Sequence, residues 1–143
     1  MHDYVYLFTP FLAWLIAGIL KFLINSIKSR RLAFDLIGYG GMPSNHSAIV
    51  CSIVALIAYK EGMNNPAFGV AVAFAFIVML DASSLRRQVG KHAASLNTIN
   101  KIVHSDLPVL RERMGHTRIE IMSGALLGLI VGYLVGLLSS WAI

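Results

Sequence analysis

Two long stretches that are almost free of charge constrain the fold of this 143-residue chain more than any other feature. Tyr4 to Ile27 contains one charged residue, Lys21, and Ile119 to Ile143 contains only Glu120. A helix of about 20 apolar residues is long enough to cross a bilayer. We therefore expect an integral membrane protein, in agreement with a hydrophobic content of 57% and a charged content of only 13%.

Two shorter apolar segments lie between these stretches. Pro43 to Tyr59 and Ala67 to Leu80 each predict a helix that is short for a full crossing. We predict an all-α, polytopic membrane protein with about four transmembrane helices in a single domain, residues 1–143. A re-entrant hairpin of the two short helices is the alternative, and either arrangement leaves residues 28–43 and 81–118 on one side of the membrane.

Positive charge is concentrated on that side. Ten of the twelve lysine and arginine residues lie within residues 28–31 or 86–118, and residues 81–118 are polar with a helical pattern. The positive-inside rule then makes this side cytoplasmic and both termini external. Because the basic residues flank membrane spans, we expect the net charge of +5 to serve lipid headgroups and not nucleic acid.

A cluster of polar and small residues precedes the second apolar segment, Gly-Gly-Met-Pro-Ser-Asn-His-Ser from Gly40 to Ser47. Ser44 or Asn45 can cap a helix, and the free N–H groups of a helix start favour an anion such as phosphate. His46 adds a group that transfers protons near neutral pH.

A second polar stretch, Gly115 to Glu120, precedes the last apolar segment. His116 and Glu120 are four residues apart, which places them on one face of a helix. Thr117 and Glu120 also have the spacing of a capping box, so both a functional and a structural role of Glu120 stay open. We predict that the two helix starts meet and form one phosphate-handling site.

Such a site can transfer a phosphoryl group without a metal or another cofactor. His116 would attack phosphorus and form a phosphohistidine, with Glu120 orienting the ring, while His46 would protonate the leaving alcohol. The phosphate oxygens need cations and N–H donors. The candidates for phosphate binding are Lys21, Lys28, Arg30, Arg31, Ser44 and Asn45.

Two charged residues have structural alternatives. Lys21 either extends to the membrane interface or points inward at the phosphate site. Asp81 either caps the polar extension of the third helix or pairs with Arg86. Arg111 is a further supporting candidate, with a topological role as the alternative.

Four glycines recur at a spacing of four in the last apolar segment: Gly124, Gly128, Gly132 and Gly136. This pattern lines one helix face with glycine and lets another helix approach closely. The sequence leaves open whether the partner helix belongs to the same chain or to a second copy. A homo-oligomer through this face is therefore one expectation, and a structural subunit that docks a partner there is one functional alternative.

The two polar motifs resemble those of the type 2 phosphatidic acid phosphatase (PAP2) superfamily, which includes vanadium haloperoxidases. Pro43 to His46 resembles the Pro-Ser-Gly-His signature, and His116-x-x-x-Glu120 resembles its His-x-x-x-Asp helix start. The resemblance to small divergent PAP2 membrane proteins is closer and covers nearly the whole chain. The segments that carry it are Gly40–Ala48, Asp81–Gly90, Leu96-Asn97 and Gly115–Glu120.

This resemblance implies a PAP2-like helical bundle and a lipid-phosphate phosphatase, located in the inner (plasma) membrane of a bacterium. It implies His116 as the nucleophile, Glu120 as its partner, His46 as the acid and Ser44 as a phosphate ligand. The lipid phosphate or phospholipid headgroup would be the partner. A catalytically impaired protein that binds or transports phosphate or headgroups is the alternative.

The chain departs from the superfamily pattern at several positions. Asn45 stands where the signature has glycine, and the arginine expected before the nucleophile falls at Leu110. Arg111 is one place off, which is about 100° around a helix. Arg86 or Arg87 is the candidate substitute.

Overall fold

The computed structural model describes residues 4–32, 41–103 and 106–141, and all regular structure within these ranges is helical. This confirms the all-α class. Gly40, which opens the first motif, lies outside the described residues. The helices are α1 (Val5–Ser29), α2 (Asn45–Lys60), α3 (Pro66–Leu80), α4 (Arg86–Ile102) and α5 (Arg118–Trp141), and a π-helical turn (Asp81–Leu85) joins α3 to α4.

Three helical segments in the described chain are long and apolar enough to cross a membrane. They are α1, the continuous helix from α3 through α4 (Pro66–Ile102), and α5. The fourth apolar helix, α2, has 16 residues and is therefore about 24 Å long. The outer faces of α1 and α3 expose large apolar side chains such as Phe11 and Phe74, as contact with lipid requires.

The glycine stripe of α5 packs against α2 of the same chain. A Cβ atom at Gly124 or Gly128 would lie 2.3 Å from the carbonyl oxygen of Ser44 or Ala48, respectively. The two backbones therefore touch, which only glycine permits. The partner helix that the sequence left open is therefore α2 of the same chain at these positions, and a homo-oligomer stays a prediction.

Polar contacts at the far end of the bundle fix the helix directions. The Tyr6 hydroxyl at the start of α1 donates to the Glu61 carboxylate just after α2. Lys60 Nζ, at the end of α2, donates to Ser139 Oγ near the end of α5 at 3.2 Å. The start of α1 and the ends of α2 and α5 therefore lie at one end of the bundle. α2 and α5 are parallel, and both begin at the other end.

The polar segment after α3 is only partly helical. The prediction of a helical pattern from residue 81 to 118 is correct as far as Ile102, whereas residues 106–117 form an irregular segment beside α4. Buried Asn97 holds this segment, because its side-chain amide accepts from the Leu110 N–H at 2.9 Å and donates to the Leu110 carbonyl at 2.8 Å. Gly90 allows the close approach, since a Cβ atom there would lie 2.3 Å from the Glu112 carbonyl oxygen.

Candidate functional site

The start of α5 combines a helix cap with an oriented imidazole. Nδ1 of His116 lies 3.1 Å from Oε2 of Glu120. The same oxygen accepts from the Thr117 N–H at 2.9 Å, and the Glu120 N–H donates to Thr117 Oγ1 at 3.3 Å. The structure therefore confirms the capping box and also places the Glu120 carboxylate on the His116 ring, while a functional role of Glu120 stays a prediction.

The main chain of His116 is fixed by the π-helical turn and the start of α4. Its N–H donates to the Ala82 carbonyl at 2.9 Å, and its carbonyl accepts from the Arg87 guanidinium at 3.4 Å. Gly115 precedes it with a φ of +86°, and a Cβ atom there would lie 3.0 Å from the backbone nitrogen of Arg87. His116 is only 8% exposed, so its backbone and its ring are both held in place.

The start of α2 is tied directly to the start of α5. The Ser44 N–H donates to the Glu120 carbonyl at 2.9 Å. Ser44 is the N-cap of α2, where its Oγ accepts from the Ser47 N–H at 3.4 Å and lies 3.1 Å from Ser47 Oγ. Ser44 is fully buried, so the hydroxyl predicted to bind phosphate is already engaged as a helix cap.

The two imidazoles face one another across this junction. The ring centroids of His46 and His116 are 6.1 Å apart, and the ring planes are inclined by 60°. Nδ1 of His46 and Oδ1 of Asn45 are buried and form no hydrogen bond within the described part of the chain. An unsatisfied buried polar atom costs about 1–3 kcal/mol, so this side of the junction suits a polar ligand.

Three further charged residues surround His46. Lys21, Asp81 and Arg86 are close enough to interact with it electrostatically, and Lys21 also interacts with Glu120. Lys21 is partly buried, and its interactions with His46 and Glu120 favour the inward alternative, while phosphate binding by this residue stays a prediction. Nε of Arg86 donates to Oδ2 of Asp81 at 3.1 Å, so the pairing alternative is the correct one for Asp81.

The remaining candidates lie elsewhere. Lys28 and Arg31 are exposed at the end of α1, and neither is among the charges that act on His46. Arg87 donates to the main-chain carbonyl of His116 and is not among the charges that act on His46. Arg111 is exposed, and its Nε donates to the Arg113 carbonyl at 3.3 Å.

The prediction that Arg111 is turned by about 100° around a helix is wrong, because residues 106–117 are not helical. Sequence reasoning also missed the Ala82 carbonyl, which binds the His116 N–H, and the contacts of Asn97 and Gly90 with the segment that precedes His116. The Leu96-Asn97 pair was a signal, since it is part of the resemblance, but it carried no indication of what the amide binds.

The fold and the site define a polytopic helical membrane protein in which two histidines and a carboxylate meet at paired helix starts. Residues 2–131 match the Divergent PAP2 family, and the chain belongs to this family. It is 34% identical to the uncharacterized membrane protein YuiD of Bacillus subtilis (strain 168), in an alignment of 135 residues that covers 83% of this chain and 85% of the relative. No solved structure matches the chain.

Proposed function

We propose that the protein is a metal-independent lipid-phosphate phosphatase that works through a phosphohistidine. The observation that carries this proposal is the 6.1 Å separation of the His46 and His116 rings, only one of which has a carboxylate on Nδ1. A nucleophile needs an oriented ring, and an acid needs to reach the same phosphoryl group. Membership of the Divergent PAP2 family supports the same chemistry.

In the first step, Nε2 of His116 attacks phosphorus. Its lone pair would be available in the tautomer that carries the proton on Nδ1, the nitrogen that faces Glu120. The bond from phosphorus to the lipid oxygen breaks, and His46 donates a proton to that oxygen. The products are a lipid alcohol and a phosphohistidine at His116.

In the second step, water attacks the phosphohistidine. His46, now neutral, accepts the proton of the attacking water, and the bond from phosphorus to Nε2 breaks. Inorganic phosphate leaves, and both imidazoles return to their initial protonation states.

Charge stabilisation would come from both helix starts and from two cations. The N-termini of α2 and α5 point to the same junction, and each carries a partial positive charge. Lys21 and Arg86 are the cations that act on His46, and they are suited to the phosphate oxygens. Ser44 supports this arrangement as the cap of α2.

The substrate would be a phosphate monoester attached to a lipid. The junction lies at the ends of apolar helices whose outer faces are lipid-exposed, so a substrate can approach from the bilayer. We place the site on the cytoplasmic side of the inner membrane, from the distribution of lysine and arginine.

The test is hydrolysis of phosphatidic acid by the purified protein in lipid nanodiscs, measured as release of inorganic phosphate. We expect His116→Ala and His46→Ala to abolish release. His92→Ala is the matched control, because His92 is exposed on α4 away from the site and its replacement should leave release unchanged. Equal release by all of these proteins would contradict the proposal.

A second candidate function is binding of phosphate or headgroups without turnover. Lys28, Arg31 and Arg111 are exposed and are not among the charges that act on His46. Lys21 and Arg86 are then the cations that act on His46 in the described chain, and this smaller number of cations favours the second candidate. This candidate predicts that vanadate binds in calorimetric titration and that Lys21→Ala weakens binding, while phosphatidic acid is not hydrolysed. Absence of anion binding would exclude it.

A further inference from the structure

A groove of about 630 Å³ lies between the continuous α3–α4 helix and the first turns of α5. Its lining includes neither imidazole of the site and neither Glu120 nor Lys21. The groove is therefore distinct from the pair of imidazoles, and it shares with that site only Arg87, which donates to the His116 carbonyl.

One wall of the groove changes from apolar to cationic along a single helical path. Phe76 and Leu80 of α3 are apolar, Ser84 follows in the π-helical turn, and Arg87 and Lys91 of α4 come next. These positions are three or four residues apart, as expected for one side of a helix. The apolar part belongs to the membrane-spanning α3, and the cationic part lies beyond it.

The opposite wall has the same polarity in space. Arg118 begins α5, and Ile121 and Met122 follow in its first turn. Because α3 and α5 run in opposite directions, the cation of this wall lies at the same end as those of α4. The whole groove is therefore cationic at one end and apolar at the other.

The lining of the groove contains the three cations Arg87, Lys91 and Arg118. None of the residues that line the groove is acidic. Lys91 and Arg118 are exposed, and neither forms a salt bridge in the described part of the chain. Positive charge at the end of a membrane-spanning helix attracts anionic lipid headgroups.

We propose that this groove binds one anionic glycerophospholipid of the bilayer. Arg87, Lys91 and Arg118 would hold its phosphodiester, and an acyl chain would lie along Phe76 and Met122. The ligand fits because an amphiphile with an anionic head has the same two-ended character as the groove. The inference does not depend on turnover at the histidines.

The apolar end of the groove favours a lipid over a soluble anion. Phe76 is 60% exposed and Met122 is 70% exposed, and both continue the lipid-facing surfaces of α3 and α5. A free phosphate would contact the cations and leave these side chains uncovered. An acyl chain covers them and remains in contact with the surrounding bilayer.

The test uses native mass spectrometry of the full-length protein released from micelles that contain equal amounts of phosphatidylglycerol and phosphatidylcholine. We expect wild-type protein to retain one phosphatidylglycerol. The variant Lys91→Gln/Arg118→Gln should bind it about thirtyfold more weakly, which is roughly fivefold for each cation removed. Arg87 is left intact, because it also donates to the His116 carbonyl.

The matched control is Lys101→Gln/Arg113→Gln, which removes the same residue types from exposed positions outside the groove. It should bind phosphatidylglycerol like wild type, and so should His116→Ala, which separates this inference from the phosphatase proposal. Equal retention of both lipids by wild type, or equal loss in the two double variants, would overturn the inference. Release of the lipid by millimolar inorganic phosphate would do the same, since it would indicate a site for a free anion.

Discussion

The two imidazoles of the site are held in opposite ways. His116 is fixed through its ring by Glu120 and through its main chain by Ala82 and Arg87. Nδ1 of His46 is buried and has no hydrogen-bond partner in the described chain.

This difference matches the two roles that we propose. A nucleophile works in one tautomer and one orientation, so a firm set of contacts favours it. An acid that later acts as a base has to lose and regain a proton, and a permanent partner on either form would oppose one of the two steps. The comparison can be tested by weakening each side separately.

The largest expected effect separates the two histidines by their dependence on the leaving group. With p-nitrophenyl phosphate, whose leaving group needs no proton, we expect His46→Ala to release nitrophenolate in a first-turnover burst and then stall. His116→Ala should show no burst and lose at least about 10⁴-fold in rate. Stopped-flow absorbance measures both, and a burst from His116→Ala would contradict its role as the nucleophile.

The next effect compares the loss of kcat on replacing Glu120, the carboxylate beside His116, with the loss on replacing Asp81, the carboxylate beside His46. We expect Glu120→Gln to lower kcat by about 10²–10⁴-fold, because an amide still caps α5 but does not stabilise the charged imidazole. Asp81→Asn should lower kcat by less than about tenfold, since an exposed ion pair such as Asp81–Arg86 contributes little. Phosphate-release kinetics distinguish these outcomes, and equal losses would show that both carboxylates act alike.

A smaller effect tests the backbone contact between α2 and α5, which holds the starts of these two helices together. A Cβ atom at Gly132 would lie 2.0 Å from the Ser52 carbonyl oxygen, so Gly132→Ala should lower the free energy of unfolding by about 3 kcal/mol. Gly69→Ala is the control, because nothing lies within 4 Å of a Cβ atom there. Unfolding in mixed micelles measures both, and equal stability of the two variants would argue against the α2–α5 contact.

The smallest effect concerns the hydrogen bonds by which Asn97 holds the irregular segment that precedes His116. Asn97→Ala leaves the Leu110 N–H and carbonyl without their partner and should cost about 1–2 kcal/mol. Hydrogen exchange at the Leu110 amide should accelerate accordingly, while Thr98→Ala, an exposed change on the same helix, should not alter it. Unchanged exchange in Asn97→Ala would show that other contacts hold the segment.

The helices and the meeting of the two motifs could be predicted from local patterns. Apolar segments between polar starts define α1, α2, α3 and α5, and two similar helix starts on one side of a bilayer predict a common site. The glycine spacing predicted a close helix contact, although not that the partner would be α2.

The support of the site could not be predicted, because it depends on contacts between distant segments. The polar residues around Asn97 continue a helical pattern, and nothing local shows that its amide binds Leu110. Lys21 and Lys28 are both cations on α1, yet only Lys21 interacts with His46. Their seven-residue separation places them two turns apart, at different distances from the junction.

The length of α2 has a consequence for the lipids around it. Its 16 residues reach about 24 Å, whereas the hydrocarbon core of a typical bilayer is about 30 Å thick. Since His46 lies in the first turn of this helix, the leaflet has to thin locally or water has to follow the polar side chains inward. For the phosphatase that we propose, the thickness of the host membrane would then become part of substrate selection, and a lipid whose phosphate carries no bulky headgroup would descend to the imidazoles at the least cost.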